Sequence, residues 1–111
     1  MGAPYGIPHI RGKGHIVYTN HSWGGAFRAF GAPQSYLATE VLMDELAEKL
    51  DMDPLELREI NVLRPGDTFP FGQLPDVFPF SAMIRRLRPL YEEAGRRAEA
   101  ESADTLRRGV G

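Results

Sequence analysis

A proline- and phenylalanine-rich stretch between residues 64 and 80 places the strongest limit on what this chain can fold into. It contains four prolines, two glycines and four phenylalanines. Because proline lacks an amide proton and has a fixed φ angle, neither a helix nor a central strand can run through such a stretch. We therefore predict an extended apolar loop, and we expect another part of the protein to cover its aromatic rings.

Periodic apolar residues predict two helices before this loop. The segment from Gln34 to Leu50 repeats apolar residues with helical spacing, and Pro33 suits the first turn of that helix. Asp53 is followed at once by proline and, three residues on, by Glu56, which is typical of a capped helix start. The second helix is expected to be shorter and to end just before the loop.

A third helix is predicted after the loop. Ser81 is the expected cap, and apolar residues at steps of three and four favour a helix that closes near Arg108. Pro89 and Gly95 fall inside this segment. Because proline disturbs the hydrogen bonds of a helix, these two residues predict an interruption and a kink.

The N-terminal part of the chain carries the strand signal. Residues 15–19 combine β-branched and aromatic side chains, which favours a short strand after a lead-in rich in glycine and proline. The predicted fold class is α+β: a short strand, a cofactor-facing loop and three helices within a larger domain. The expected parts are the strand and loop over 1–33, a helix pair over 34–63, the Pro/Phe-rich loop over 64–80 and a helix over 81–108.

Composition excludes several classes of protein. With 42% hydrophobic and 25% charged residues the chain is a globular sequence, and its net charge of -2 gives no basic surface for nucleic acid. The absence of cysteine excludes disulfides and any cysteine-held iron–sulfur cluster within this chain. No apolar run approaches the roughly 20 residues of a membrane span, and no secretory signal begins the sequence, so we expect a cytoplasmic protein.

The segment from Gly24 to Gln34 has a composition suited to ligand binding. Glycine allows the backbone to approach a ligand closely, and Arg28 supplies a planar charged fork for oxygen atoms. A helix that starts at Pro33 adds the positive end of its dipole. These features predict a site for an oxyanion or a metal-oxo group. The alternative is a tight strand-to-helix turn with two core phenylalanines and a solvated arginine.

Residues 25–34 also resemble the A-F-R-G-F-G-x-P-Q stretch of the molybdenum hydroxylases, the family of xanthine oxidase and aldehyde oxidoreductase. The likeness extends over nearly the whole chain and is greatest to aldehyde oxidoreductases of sulfate-reducing bacteria. Further matching segments are Tyr5-Gly6-Ile7-Pro8, Thr19-Asn20-His21, Met43-Asp44-Glu45-Leu46-Ala47, Asp53-Pro54-Leu55-Glu56-Leu57-Arg58 and Arg64-Pro65-Gly66-Asp67.

The resemblance implies particular roles for the loop residues. It implies that Ala26, Phe27 and Arg28 contact the molybdenum cofactor and that Phe30 lines the approach of the substrate. The sequence departs from the family at Ala29, where glycine is more usual. If this position requires a positive φ angle, alanine would shift the loop.

The resemblance further implies the reaction and the missing parts. Family members hydroxylate aldehydes to carboxylic acids, or hydroxylate N-heteroaromatics, with water, using a glutamate base in a downstream G-x-G-E stretch. Gly109-Val110-Gly111 has no following glutamate, so we expect this chain to hold no catalytic residue and no metal ligand. The implied cofactors are molybdenum–molybdopterin, as a dinucleotide, and two-iron two-sulfur clusters in other segments. The implied partner is the remainder of a parent enzyme, itself a homodimer, without which this fragment is inactive.

Other hypotheses stay open beside this one. The chain could be a non-catalytic interaction module, or a decayed remnant of such an enzyme, that docks through residues 64–80. Histidines 9, 15 and 21 recur every six residues, but the glycines between them favour local hydrogen bonding over a metal site. Trp23 could belong either to the core or to the neighbourhood of the cofactor.

Overall fold

The computed structural model describes residues 4–22, 24–25 and 28–110. Three α-helices form its framework: α1 (Ala32–Leu50), α2 (Pro54–Asn61) and α3 (Phe80–Ala100). A single tight turn, Ala29–Gly31, leads directly into α1. The three helices are present as predicted, and the described part of the chain is mostly helical.

The boundaries of α1 and α2 follow from their local sequence. Pro33 occupies the first turn of α1, and the helix ends at Asp51, whose left-handed backbone (φ 52) returns its N–H to the carbonyl of Ala47. Asp53 caps α2, because its Oδ1 accepts a hydrogen bond from the Glu56 N–H at 2.7 Å. Asp53 thus fulfils the capping role that its sequence pattern predicts.

The start and end of α3 differ from the prediction. The helix begins at Phe80 rather than after Ser81, because Pro79 already has αR angles and its carbonyl accepts the Met83 N–H at 2.9 Å. The helix also runs without interruption through Pro89 and ends at Ala100, eight residues before the predicted end. No residue of α3 is buried. Pro89 itself is exposed, so water can satisfy the helix carbonyl that loses its N–H partner there.

The strand predicted at residues 15–19 is not observed in the structure. Within the described residues the only β-pairing consists of isolated bridges, and the 15–19 segment takes part in none. Ile16 and Tyr18 are fully exposed, at 103% and 106%. A strand is stabilised by a neighbouring strand and by cross-strand side chains, and the described residues supply no such neighbour. The α+β class is therefore not observed here.

A short antiparallel pairing closes the fold. The Gly6 N–H donates to the Asn61 carbonyl at 2.8 Å, and the Leu63 N–H donates to the Pro4 carbonyl at 2.8 Å. This pairing lays the N-terminal segment against the residues that follow α2. Among the described residues, the buried core gathers around this pairing and consists of Tyr5, Ala47, Leu55, Leu57, Val62 and Leu63.

A polar network beside this core joins the N-terminal segment, α1 and α2. The Tyr5 hydroxyl lies 2.9 Å from both carboxylate oxygens of Glu40. Arg58 donates from Nε to Glu40 Oε2 at 2.8 Å and from Nη1 to Asp44 Oδ1 at 2.8 Å. A second guanidinium nitrogen of Arg58 donates to the Glu40 backbone carbonyl at 3.2 Å. Arg58 therefore fixes how α2 crosses α1 at one point.

The network shifts the pKa values of its members. Burial, followed by the hydrogen bond to Glu40, raises the pKa of Tyr5 to about 12. Burial lowers the pKa of Arg58, but its hydrogen bonds to Glu40 and Asp44 outweigh that effect and raise the pKa overall. Arg58 thus carries its positive charge at neutral pH.

Residues 64–79 form turns rather than a helix or a strand. Asp67 Oδ2 accepts the Arg64 N–H at 2.7 Å, and the Gly72 N–H donates to the Phe69 carbonyl at 2.8 Å. The rings of Phe69 and Phe71 stack with their centroids 5.3 Å apart. Phe71 nevertheless remains 61% exposed, and Val77 is 69% exposed. The loop is locally ordered by its turns while its apolar side chains lack cover.

The chain is expanded for its length. Its radius of gyration is 17.6 Å, whereas a compact domain of this size would have about 13 Å. α1 keeps a set of exposed apolar side chains outside its contact with α2 and the N-terminal segment. These are Leu37, Val41, Leu42, Leu46 and Leu50. A helix that is apolar around most of its circumference is normally enclosed by further protein. Within the described ranges, no helix has the length and apolarity to span a membrane.

We expect replacement of Tyr5 by phenylalanine to lower the free energy of unfolding at pH 7 by about 1 kcal/mol, the typical net value of one hydrogen bond. Denaturant unfolding of the complete protein measures this change. Tyr18→Phe is the matched control, because Tyr18 is fully exposed and should leave stability unchanged. Equal effects of the two substitutions would contradict the structural role of the Tyr5 hydroxyl.

Alkaline pH provides a separate test of the same hydroxyl. A tyrosine with a folded pKa of about 12 stabilises the fold fully below its unfolded value near 10, and loses this contribution as pH rises from 10 through 12. The wild-type protein should therefore lose more stability between pH 9.5 and pH 11.5 than the Tyr5→Phe variant. Unfolding curves at the two pH values give the difference, and parallel losses would show that Tyr5 is not responsible.

Candidate cofactor-binding loop

The turn before α1 has an unusual backbone. Ala29, Phe30 and Gly31 have φ angles of 60, 50 and 88, so three consecutive residues adopt left-handed conformations. The Ala32 N–H donates to the Ala29 carbonyl and closes the turn. For residues other than glycine this conformation costs about 1–2 kcal/mol each. Two of the three positions in this turn carry that cost.

The side chains of Arg28 and of the first two turn residues are exposed. Arg28, in extended conformation, precedes the left-handed residues, and Arg28, Ala29 and Phe30 are all exposed. Phe30 alone is 82% exposed. Among the described residues Arg28 has no ion-pair partner, so its guanidinium is available to an external group. This turn and the residue before it therefore carry an exposed cation, an exposed methyl group and an exposed aromatic ring.

Gly31 links this turn to α1. It is the N-cap residue of α1 at φ 88, and a Cβ added there would lie 4.0 Å from Gln34 Oε1. Space is sufficient, so the requirement for glycine comes from the backbone angle. The start of the 19-residue α1 directs its positive dipole end toward the same region as Arg28. An oxygen-rich or anionic group is the ligand class that this electrostatic arrangement favours.

The structure brings together two of the four predicted site residues. Arg28 and Phe30 lie on the same turn, whereas Ala26 and Phe27 lie outside the described residues. Trp23 also lies outside them. The exposure of Phe30 argues against the alternative in which it is a core residue of this chain. Position 29 has the positive φ angle that makes glycine the less strained residue there.

The remaining candidates do not assemble into sites. His9, His15 and His21 are exposed. Across the part of the chain that the structure describes, no three histidine, cysteine or acidic side chains are grouped closely enough to hold a metal ion.

Two cavities lie away from the turn. A polar cavity of about 550 Å³ lies between the N-terminal segment and residues 60–72. An apolar groove of about 530 Å³ lies between Val62 and the Met83–Leu90 part of α3.

Comparison with known protein families identifies one family that matches the chain. Residues 1–62, more than half of it, match the family described as Molybdopterin cofactor-binding domain. The chain belongs to this family, and the left-handed turn with Arg28 lies within the matched region.

Individual relatives agree with this assignment. The chain is 60% identical over all 111 residues to the aldehyde oxidoreductase of Megalodesulfovibrio gigas, of which it covers 12%. It is 42% identical over 69 residues to the xanthine dehydrogenase/oxidase of Gallus gallus, covering 62% of this chain and 5% of that protein. The crystal structure of the aldehyde oxidoreductase from Desulfovibrio desulfuricans superposes with a TM-score of 0.83 at 54% identity, covering 93% of this chain and 11% of that one.

These comparisons confirm the resemblance seen in the sequence. The chain is a member of the xanthine oxidase and aldehyde oxidoreductase family, and it corresponds to part of a molybdopterin-binding domain. It spans only about a tenth of the length of the aldehyde oxidoreductases it matches.

Sequence reasoning missed the Tyr5–Glu40–Arg58 network. Glu40 and Arg58 lie 18 residues apart on different helices, and no local spacing relates them. Arg58 belongs to the family-like segment Asp53–Arg58, but its partner is defined only by the way in which α1 and α2 pack.

Replacing Gly31 by alanine tests the left-handed N-cap. We expect Gly31→Ala to lower the free energy of unfolding by about 1 kcal/mol, because an L side chain is strained at φ 88. The control is Gly95→Ala within α3, where a Cβ meets open space and should instead stabilise the helix by up to about 1 kcal/mol. Denaturant unfolding of the complete protein measures both. Changes of the same sign would show that Gly31 is not left-handed.

Proposed function

We propose that this chain is a fragment of a molybdenum-dependent oxidoreductase that hydroxylates aldehydes to carboxylic acids, with N-heteroaromatics as the second substrate class, using water. The observation that carries the proposal is the 60% identity to an aldehyde oxidoreductase over the whole chain. The protruding Arg28–Phe30 turn supports it, because it combines a cation for cofactor oxygens with an apolar ring for a substrate.

The residues of the loop fit the molybdenum cofactor on chemical grounds. Arg28 is exposed beside the positive end of α1, and both features favour an oxygen-rich, negatively charged group. When bound, the cofactor would supply the oxidation of the substrate carbon. Arg28 would hold and orient it, with Ala26 and Phe27 as neighbours by sequence resemblance. Phe30 would line the approach of the substrate and exclude water from it.

The remaining parts of the reaction belong to other segments of the proposed parent enzyme. We assign no catalytic base to this chain, and the electrons would leave through two-iron two-sulfur clusters held elsewhere. A dinucleotide form of the pterin, a homodimeric parent and a cytoplasmic location complete the proposal. The α+β class predicted from the sequence also belongs to this proposal, because residues 15–19 could form a strand only against a neighbouring strand from another segment.

Arg28→Ala in the complete protein tests the proposed cofactor contact. A charge-assisted hydrogen bond contributes roughly 1.5–3 kcal/mol, so molybdenum retention or aldehyde turnover should fall by about tenfold to a hundredfold. Arg28→Lys keeps the charge but loses the planar fork, and it should recover only part of the loss. Metal analysis and turnover assays report the two quantities separately.

The matched control is Arg85→Ala, which removes an exposed arginine on α3 far along the chain from the turn. It should change neither molybdenum content nor turnover. Unchanged metal content and turnover in Arg28→Ala would contradict the proposed contact between Arg28 and the cofactor. A well-folded complete protein without molybdenum or pterin would favour the interaction module instead, with residues 64–80 as its docking loop.

A further inference from the structure

We propose that Ala29 is a specificity-determining residue, whose methyl group extends the apolar wall that Phe30 presents to the substrate. The inference rests on the proposed function and deepens it, because it concerns which aldehydes the site prefers. It starts from the position of Ala29, between the cofactor-contact candidate and the substrate-contact candidate.

The backbone of Ala29 has a conformation that is strained for any residue with a side chain. At φ 60 it is the first of three left-handed residues, and the next one, Phe30, has φ 50 and ψ 40. Glycine adopts such angles without steric conflict, whereas the left-handed region open to alanine is small. A non-glycine residue held there is strained, and such residues cluster at ligand sites.

Packing within this chain does not account for the methyl group. Ala29 is exposed, as are Arg28 and Phe30 on either side of it. The buried core lies elsewhere, around Tyr5, Val62 and Leu63. Ala29 is thus an exposed apolar residue directly next to the exposed Phe30 in the chain.

The chemistry of this surface defines the preferred substrate. If the Ala29 methyl group and the Phe30 ring both line the substrate approach, a large apolar aldehyde can contact both of them. A two-carbon aldehyde is too small to gain these contacts. Burial of one methyl-sized group changes affinity by about fourfold. Benzaldehyde and acetaldehyde are suitable probes of the difference.

The test compares Ala29→Gly with the wild type in the complete protein. The ratio of kcat/KM for benzaldehyde to kcat/KM for acetaldehyde should fall about fourfold, mainly through KM for benzaldehyde. Ala38→Gly, an alanine on the exposed face of α1, is the control and should leave the ratio unchanged. A ratio that changes by less than twofold or rises in Ala29→Gly would overturn the role of Ala29.

Thermal unfolding gives a readout that does not depend on turnover. Ala38→Gly should lower Tm, because glycine destabilises a helix interior. Ala29→Gly should not lower Tm, because glycine relieves the left-handed strain. An equal drop in Tm for Ala29→Gly and Ala38→Gly would overturn the inference.

The outcomes for the wild-type protein separate this inference from the proposed function. A wild-type protein that holds no molybdenum and oxidises neither aldehyde would overturn the proposed function and this inference together. An active wild type with an unchanged ratio in Ala29→Gly would overturn only the inference.

Discussion

The Arg58 guanidinium is the interaction on which the arrangement of the first two helices and the N-terminal segment depends. It contacts the Glu40 carboxylate, the Glu40 carbonyl and the Asp44 carboxylate, while Glu40 in turn accepts from Tyr5. A partly buried arginine that contacts several partners stabilises more than an isolated exposed ion pair, because its geometry is fixed by more than one contact. Removal of one partner would leave the others incompletely satisfied in a half-buried setting.

The network also connects the core to the candidate site through α1. Glu40 and Asp44 lie on the same helix whose first residue, Ala32, follows the left-handed turn. Since α1 is a rigid element, fixing its middle against α2 and Tyr5 also fixes the direction in which its N-terminus points. The position of Arg28 and Phe30 relative to the rest of the domain thus depends on contacts about two helical turns away.

The left-handed turn before α1 is strained at two of its three residues. Gly31 can adopt its φ angle without strain, whereas Ala29 and Phe30 cannot. The exposed apolar residues of α1, of α3 and of residues 64–79 are consistent with a piece of a domain whose relatives are several times longer. In such a piece the strain and the exposure have a common explanation: both are features that surrounding protein or a ligand would stabilise.

The sequence by itself determined the features that depend on neighbouring residues. These are the three helices, the Asp53 cap, the irregular course of residues 64–79 and the family signature around Arg28. The alanine at position 29, where the family more often has glycine, also indicated that this position could require a positive φ angle. Only the tertiary structure decided the pairing of Tyr5 with Val62, the partners of Arg58, the early start of α3 at Phe80 and the absence of a strand at 15–19. The reason is physical: caps, turns and helical periodicity act within a few residues, whereas a strand or an ion pair exists only when a distant segment supplies its partner.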